Sequence, residues 1–132
     1  MEKYDGSFGD LLLKYQQNKS IHVREIWKSV KILIYKLHQN NIIHRDIHVE
    51  NILYKIINDQ YHIIIADYGM SIESDLQELR NEDIISYENV FKLIDMIDNG
   101  DLFENVEDLI FAILEDKHPI MINWKQNICP IW

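Results

Sequence analysis

The stretch that decides the fold is Ile42–Gly69, IIHRDIHVENILYKIINDQYHIIIADYG. Its pattern changes several times. Ile42-Ile43 is a short apolar strand fragment, and His44–Glu50 is a polar loop. Ile52–Ile57 and Tyr61–Ala66 read as two strands joined across Asn58-Asp59-Gln60, a hairpin by turn chemistry. The second strand ends in a continuous run, Ile63-Ile64-Ile65, as a strand covered on both faces would. Asn51 falls five residues after Asp46, and sixteen residues beyond Asn51 comes Asp67-Tyr68-Gly69. Two carboxylates and a carboxamide are thus delivered to one end of a hairpin from two loops. Oxygen ligands of this kind suit Mg²⁺, which takes a few carboxylates and leaves its other positions to water and phosphate.

Outward from this stretch the pattern is helical. Ser7 with Asp10 three residues later predicts a capping box that opens a short helix through Leu11, Leu12 and Leu13. Ser20 predicts the start of a longer helix, with Ile26, Val30, Leu33, Ile34 and Leu37 at helical spacing, and Asn40-Asn41 is a left-handed stop. After Gly69, Asp83 reads as the N-cap of a helix that buries Tyr87, Val90, Phe91, Ile94 and Ile97 and stops at Gly100. Asp101 reads as the cap of another, through Phe103, Val106, Leu109, Ile110, Ile113 and Leu114. From 119 to 132 runs an apolar tail without clear periodicity, either packed on the domain or awaiting a partner.

Composition sets the outer bounds. A chain of 132 residues, 47% hydrophobic and 27% charged, fits one domain with a real core and excludes bulk disorder. The net charge of −9 argues against a surface that coats DNA or RNA and against adhesion to anionic membranes. No signal peptide or membrane span is legible. The single cysteine, Cys129, excludes an internal disulfide framework and suits a reducing cytoplasm. With 24 isoleucines and 11 asparagines the chain looks like the product of AT-rich coding sequence, which invites a viral or parasite origin and, for a virus, the host cytoplasm.

His44–Asn51 resembles the catalytic loop H-R-D-x-x-x-x-N of protein kinases, and Asp67–Gly69 resembles their D-F-G metal motif with Tyr in place of Phe. The resemblance covers about residues 1–97. It implies an α+β, mainly α-helical fold: a kinase C-terminal lobe in which a small β-hairpin carries the catalytic and metal loops. Met1–Leu13 would be the hinge running into the first helix, and 1–132 a single kinase-like domain. The resemblance further implies ATP and Mg²⁺ as cofactors. Asp46 would orient the acceptor hydroxyl and take its proton, while Arg45 would brace the loop and His44 would pack beneath it. Asn51 and Asp67 would hold Mg²⁺ on the phosphates, Gly69 would let the chain turn, and Leu53 would floor the adenine ring.

The sequence also departs from the kinase pattern. No G-x-G-x-x-G loop and no V-A-I-K-like lysine strand occur, so the smaller N-terminal lobe is expected to be absent. His48 stands where most serine/threonine kinases have Lys. In that respect the loop resembles the H-x-D-x-H-x-x-N loops of aminoglycoside- and choline-kinase-like proteins, although a solvent-facing loop residue is the plainer reading. No A-P-E follows Gly69, and the connection to the next helix is short. Asp83 has a second reading beside the N-cap, as the helix residue that ties down the catalytic loop.

Three functions follow. One is a Ser/Thr phosphotransferase whose missing lobe comes from a partner, bound as a hetero- or homo-oligomer at the uncovered hinge-side surface. Another is a non-catalytic mimic that regulates a true kinase. The last is a relative of the small-molecule kinases. Other candidates read as structural. His22, His38, His62 and His118 lack zinc-ligand spacing, Glu104, Glu107, Asp108, Glu115 and Asp116 form a solvated face, and Trp27, Trp124 and Trp132 are core or interface.

Overall fold

The computed structural model describes residues 3–116. The expected α+β class is what folds, with helices making up about half of those residues and the strands forming two small sheets. The apolar tail, with Cys129, Trp124 and Trp132, and also His118, lies outside the described residues.

Strand β1 (Gly6–Ser7) runs straight into helix α1 (Phe8–Gln17). The Ser7 hydroxyl accepts the Asp10 N–H at 3.2 Å while the Asp10 carboxylate accepts the Ser7 N–H at 3.0 Å. That reciprocal pair is the expected capping box, and it satisfies two of the donors a helix start leaves open. The single long helix expected after Ser20 is instead two. Helices α2 (Val23–Lys28) and α3 (Val30–Gln39) meet at Ser29, whose hydroxyl and N–H both turn back on the Ile26 carbonyl, at 2.6 and 3.2 Å. This tight three-residue step interrupts the α-helical ladder. Ser20 caps nothing; its hydroxyl bonds the Asn18 side chain at 2.6 Å. Helix α3 stops as expected where Asn41 enters the left-handed region, φ 57°.

Next come β2 (Ile42–Ile43), β3 (Ile52–Ile57), β4 (Gln60–Ile65) and β5 (Ile72–Glu73). One antiparallel sheet has the order β1-β3-β4, and β2 pairs with β5 in the other. The β3–β4 hairpin closes over Asn58 and Asp59 alone, both at positive φ (53° and 64°), so Gln60 already belongs to the strand. Two left-handed residues give the turn whose twist matches the strands, and Asn-Asp tolerates them. The expectation that β4 is covered on both faces fails. Ile65 faces the core, but Ile64 is 36% exposed beside its cross-strand partner Leu53. The outer face of this hairpin carries no second layer among the described residues.

Helix α4 (Gln77–Asp98) begins well before Asp83, which therefore is not its cap but a buried residue inside it. It ends at Asn99, with Gly100 at φ 103°. Helix α5 (Val106–Asp116), by contrast, begins after the expected start. Asn105, not Asp101, accepts the first-turn N–H, from Asp108 at 2.9 Å. Gln16 holds the preceding segment by two hydrogen bonds to the Phe103 backbone, its Oε1 accepting the N–H at 2.6 Å and its Nε2 donating to the carbonyl at 2.9 Å.

Trp27 anchors the core. Fully buried, it packs against Phe8 at 4.6 Å between ring centroids, stacks on Tyr87 at 5.9 Å and donates its indole N–H to the Tyr87 carbonyl at 2.8 Å. One residue thereby ties α1, α2 and α4 together and satisfies its own polar atom. No helix among the described residues is long and apolar enough to cross a membrane.

Candidate active site

The loop between β2 and β3 is fixed from below by α4. Asp83 accepts the His44 N–H on Oδ2 at 3.0 Å and the Arg45 N–H on Oδ1 at 2.9 Å, and it is 1% exposed. Arg45 sits at φ 71°, a left-handed step that an L-residue adopts only under constraint. Its bracing contact is this backbone bond, and the residue as a whole is exposed. His44 is fully buried. Its Nδ1 accepts the Asp46 N–H at 3.1 Å, which leaves the ring proton on Nε2, facing the Ala66 carbonyl at 2.8 Å. One imidazole thus joins the loop to the residue before Asp67. Its ring also meets Tyr68 edge-on, at 5.1 Å between centroids.

Asp46, His48 and Asn51 converge in the loop. The Asn51 amide donates to the Asp46 carbonyl at 2.8 Å and to Asp46 Oδ2 at 3.0 Å, so both of its hydrogens are used. The Glu50 N–H points at His48 Nδ1 at 3.1 Å, which places the His48 proton on Nε2, 3.4 Å from Asp46 Oδ1. His48 is half-buried against these two residues and is not the solvent-facing loop residue of the plainer reading. Hydrogen bonding from His48 holds the Asp46 carboxyl below the usual carboxylate range. Partial burial opposes this shift and the Asn51 amide adds to it.

The second loop follows from the hairpin register. Ile52 pairs with Ile65, and just beyond, the Ala66 N–H donates to the Asn51 carbonyl at 2.7 Å. Asp67 therefore leaves the sheet beside Asn51. The left-handed step of the D-Y-G turn falls on Asp67, φ 56°, and not on Gly69. Gly69 gives its N–H to Asp67 Oδ1 at 3.3 Å, and a Cβ there would stand 3.3 Å from the same oxygen. Burial pushes the Tyr68 phenol up. Leu53 lies on the outer face of the hairpin, half-buried.

Can these residues hold a hard cation? Asn51 spends its nitrogen on the loop, so its carbonyl oxygen is the atom left for a ligand, and the Asp67 carboxylate is exposed. An all-oxygen donor pair fits Mg²⁺ and not a soft metal. Among the described residues no group of three or more His, Cys, Asp or Glu is arranged to hold a metal. An ion here would need phosphate and water to complete its shell, which is how Mg²⁺ ordinarily binds.

From the sequence, Asp83 reads as a loop anchor only after the N-cap reading, and His38 reads as structural. Their signal was present. Asp83 continues the buried stripe of Tyr87, Val90, Ile94 and Ile97, and His38 continues that of Val30 and Ile34. An ionisable side chain in register with a core stripe needs a buried partner. Here each is the other's partner, with His38 Nε2 2.9 Å from Asp83 Oδ2.

No solved structure matches the chain. The family model of the protein kinase domain matches residues 1–90 of the 132. That match spans the capping-box helix, the His44–Asn51 loop and the Asp67–Gly69 turn in one unit. The chain belongs to the protein kinase family.

Proposed function

We propose that this chain forms the C-terminal lobe of a kinase-type phosphotransferase, which moves the γ-phosphate of ATP to a Ser/Thr hydroxyl when an N-terminal lobe covers the nucleotide. Residues 1–13 would be the hinge, 44–69 the catalytic and metal loops, and 1–132 one domain. The observation that carries the reading is the meeting of Asp46, Asn51 and the Asp67 turn at one end of the β3–β4 hairpin. Kinase chemistry is mostly positioning and charge stabilisation, and Mg²⁺ supplies the neutralising charge when bound.

The residues divide the work. Asn51 and Asp67 would present two oxygens to the cation. Asp46, kept ionised by His48 and Asn51, would accept a hydrogen bond from the acceptor hydroxyl and take its proton. His48, as a neutral donor on Nε2, would offer one hydrogen bond where a lysine would offer a fixed charge. Leu53, half-buried beside the exposed Ile64 on the outer hairpin face, would floor the adenine and border the surface that an N-terminal lobe covers. The single cysteine suits a reducing, cytoplasmic setting.

A second reading, a small-molecule acceptor, is favoured by a specific observation. Only 70–76 separate Gly69 from α4. That span is held down by the β2–β5 pairing and by the Ser74 N–H on the Asn41 carbonyl at 2.7 Å. Little chain is left there to grip an extended peptide. Transfer of radiolabelled γ-phosphate to peptide and small hydroxyl acceptors tests both readings. Label on either that disappears in Asp46→Asn supports a phosphotransferase and names the acceptor class. Label that survives Asp46→Asn removes Asp46 as the base. No transfer, even with kinase partners added, leaves the non-catalytic mimic.

A further inference from the structure

We propose that the free edge of β4 pairs antiparallel with the same edge of a second copy of this chain, joining two three-stranded sheets into one. Pairing of this kind runs in the plane of the sheet and leaves its outer face open. It therefore goes beyond the phosphotransferase reading and does not depend on it.

The hairpin register says where the backbone groups point. In an antiparallel ladder every second residue pair exchanges hydrogen bonds. The Ala66 N–H bonds the Asn51 carbonyl, so the bonded pairs recur at Leu53 with Ile64, Lys55 with His62 and Ile57 with Gln60. Tyr61, Ile63 and Ile65 therefore turn their N–H and C=O groups away from β3, while their side chains keep to the core side. On β3 the corresponding groups of Tyr54 and Ile56 face the other way, toward β1. There the Asp5 N–H meets the Tyr54 carbonyl at 2.8 Å, and the Asp5 carboxylate takes the Ile56 N–H at 2.7 Å.

The two edges of the sheet are thus treated differently. On one side β1 is two residues long and runs straight into α1, and the Asp5 side chain occupies the next donor on β3. On the other side β4 is six residues long, and among the described residues nothing bonds the outward groups of Tyr61, Ile63 and Ile65. Proteins ordinarily guard such an edge with a charge, a proline, a bulge or a covering element. Gln60–Ile65 has no charged residue, no Pro and no Gly, and its register with β3 is unbroken.

Charge and symmetry select the occupant. At a net charge of −9 two copies repel one another over most of their surface, and least along a strand that carries no charge. An antiparallel strand is also its own complement. With Ile63 on the two-fold axis, Ile63 faces Ile63 of the second copy and Tyr61 faces Ile65, so every outward-facing residue of both strands gains a bonded partner. The β1 side has no long edge to offer, so the assembly closes at two copies.

Sedimentation velocity of the full chain, with amide hydrogen exchange at the same concentrations, tests the pairing. Between about 1 and 100 μM the mass should rise from 15.9 kDa to twice that value and no further. Exchange of the Tyr61 and Ile63 N–H groups should slow by about 10-fold or more over the same range, because the second copy supplies their acceptors. Ile63→Pro removes a donor at the axis without touching a bond to β3, and should leave the chain monomeric at about 100 μM. His62→Glu places its carboxylate opposite Lys55 of its own hairpin, which keeps the fold, and beside Ile64 of the second copy. It should weaken the dimer by about 10-fold, since each dimer contains that contact twice, and it decides the matter if the proline variant does not fold. A chain still monomeric at about 100 μM overturns the proposal. If its Tyr61 and Ile63 amides are nonetheless protected, a segment of the same chain, such as the apolar stretch 119–132, covers the edge instead. A dimer in which those two amides exchange as fast as in the monomer, or which ignores both variants, forms on another surface and equally overturns it. Growth beyond two copies contradicts the closed pairing.

Discussion

Replacing Asp83 with asparagine removes one acceptor from a site that needs two. The carboxylate serves the Arg45 N–H with one oxygen and the His44 N–H and His38 with the other. An asparagine keeps a single oxygen. Turned one way, its amino group faces the Arg45 N–H; turned the other, it faces the His44 N–H. Either way a buried donor is orphaned, which costs about 1–3 kcal/mol, and the surviving bonds lose their charge assistance. The sum is about 2–4 kcal/mol, a large share of the roughly 5–15 kcal/mol that holds a domain folded. For a chain of this size that corresponds to a fall in Tm of roughly 6–20 °C. Urea unfolding followed by far-ultraviolet circular dichroism reads it as a lowered midpoint with unchanged slope. Asp101→Asn, at an exposed carboxylate, should stay within about 0.5 kcal/mol of wild type. An Asp83→Asn midpoint as mild as that control would show that the carboxylate does not hold the loop.

Three further outcomes follow from particular contacts. Gly9→Ala should cost about 1–3 kcal/mol by overpacking, because its Cβ would lie 2.7 and 3.0 Å from the Val106 methyls. Val106→Ala in the same chain should recover most of that loss, and simple addition of the two losses would refute the cause. The Asp98 carboxyl lies below its usual range through the Tyr15 hydroxyl first and Arg24 second. A depressed carboxylate contributes stability that is present above its unfolded pKa, near 4, and lost as the pH falls through the lower folded value. The group is well solvated, so the loss is at most about 1 kcal/mol. Asp98→Asn should flatten the decline between roughly pH 4 and 2, and an unchanged slope would contradict it. Finally, His48→Ala should let the Asp46 carboxyl climb toward its ordinary value, as read by carboxyl ¹³C NMR titration. An unmoved Asp46 would mean that His48 does not tune it.

What the sequence disclosed, and what it hid, has a physical pattern. Local signals were legible: the Ser7–Asp10 box, the Asn41 stop, the Asn58-Asp59 turn and the offset from Asp46 to Asn51 each depend on a few adjacent residues. Ser29 was hidden because a 3.6-residue period runs through it unbroken, while its hydroxyl acts on the Ile26 carbonyl one turn back. Asp83 and Asp101 both read as caps in the sequence for one shared reason, since aspartate is a common helix cap. Whether it caps or is buried depends on donors far away in the chain, and those of Asp83 come from residues 38, 44 and 45. Ile64 belongs to a continuous apolar run, and such a run does not say which face meets a second layer.

Isothermal titration of the full chain with Mg-ATP is the most direct test of whether Asn51 and Asp67 form one nucleotide site beside Asp46. The expected result is single-site ATP binding that requires Mg²⁺ and disappears in Asp67→Asn. Asp67 is exposed, so this variant should leave the fold intact. No binding at saturating nucleotide, or binding indifferent to Mg²⁺ and to Asp67→Asn, would contradict it.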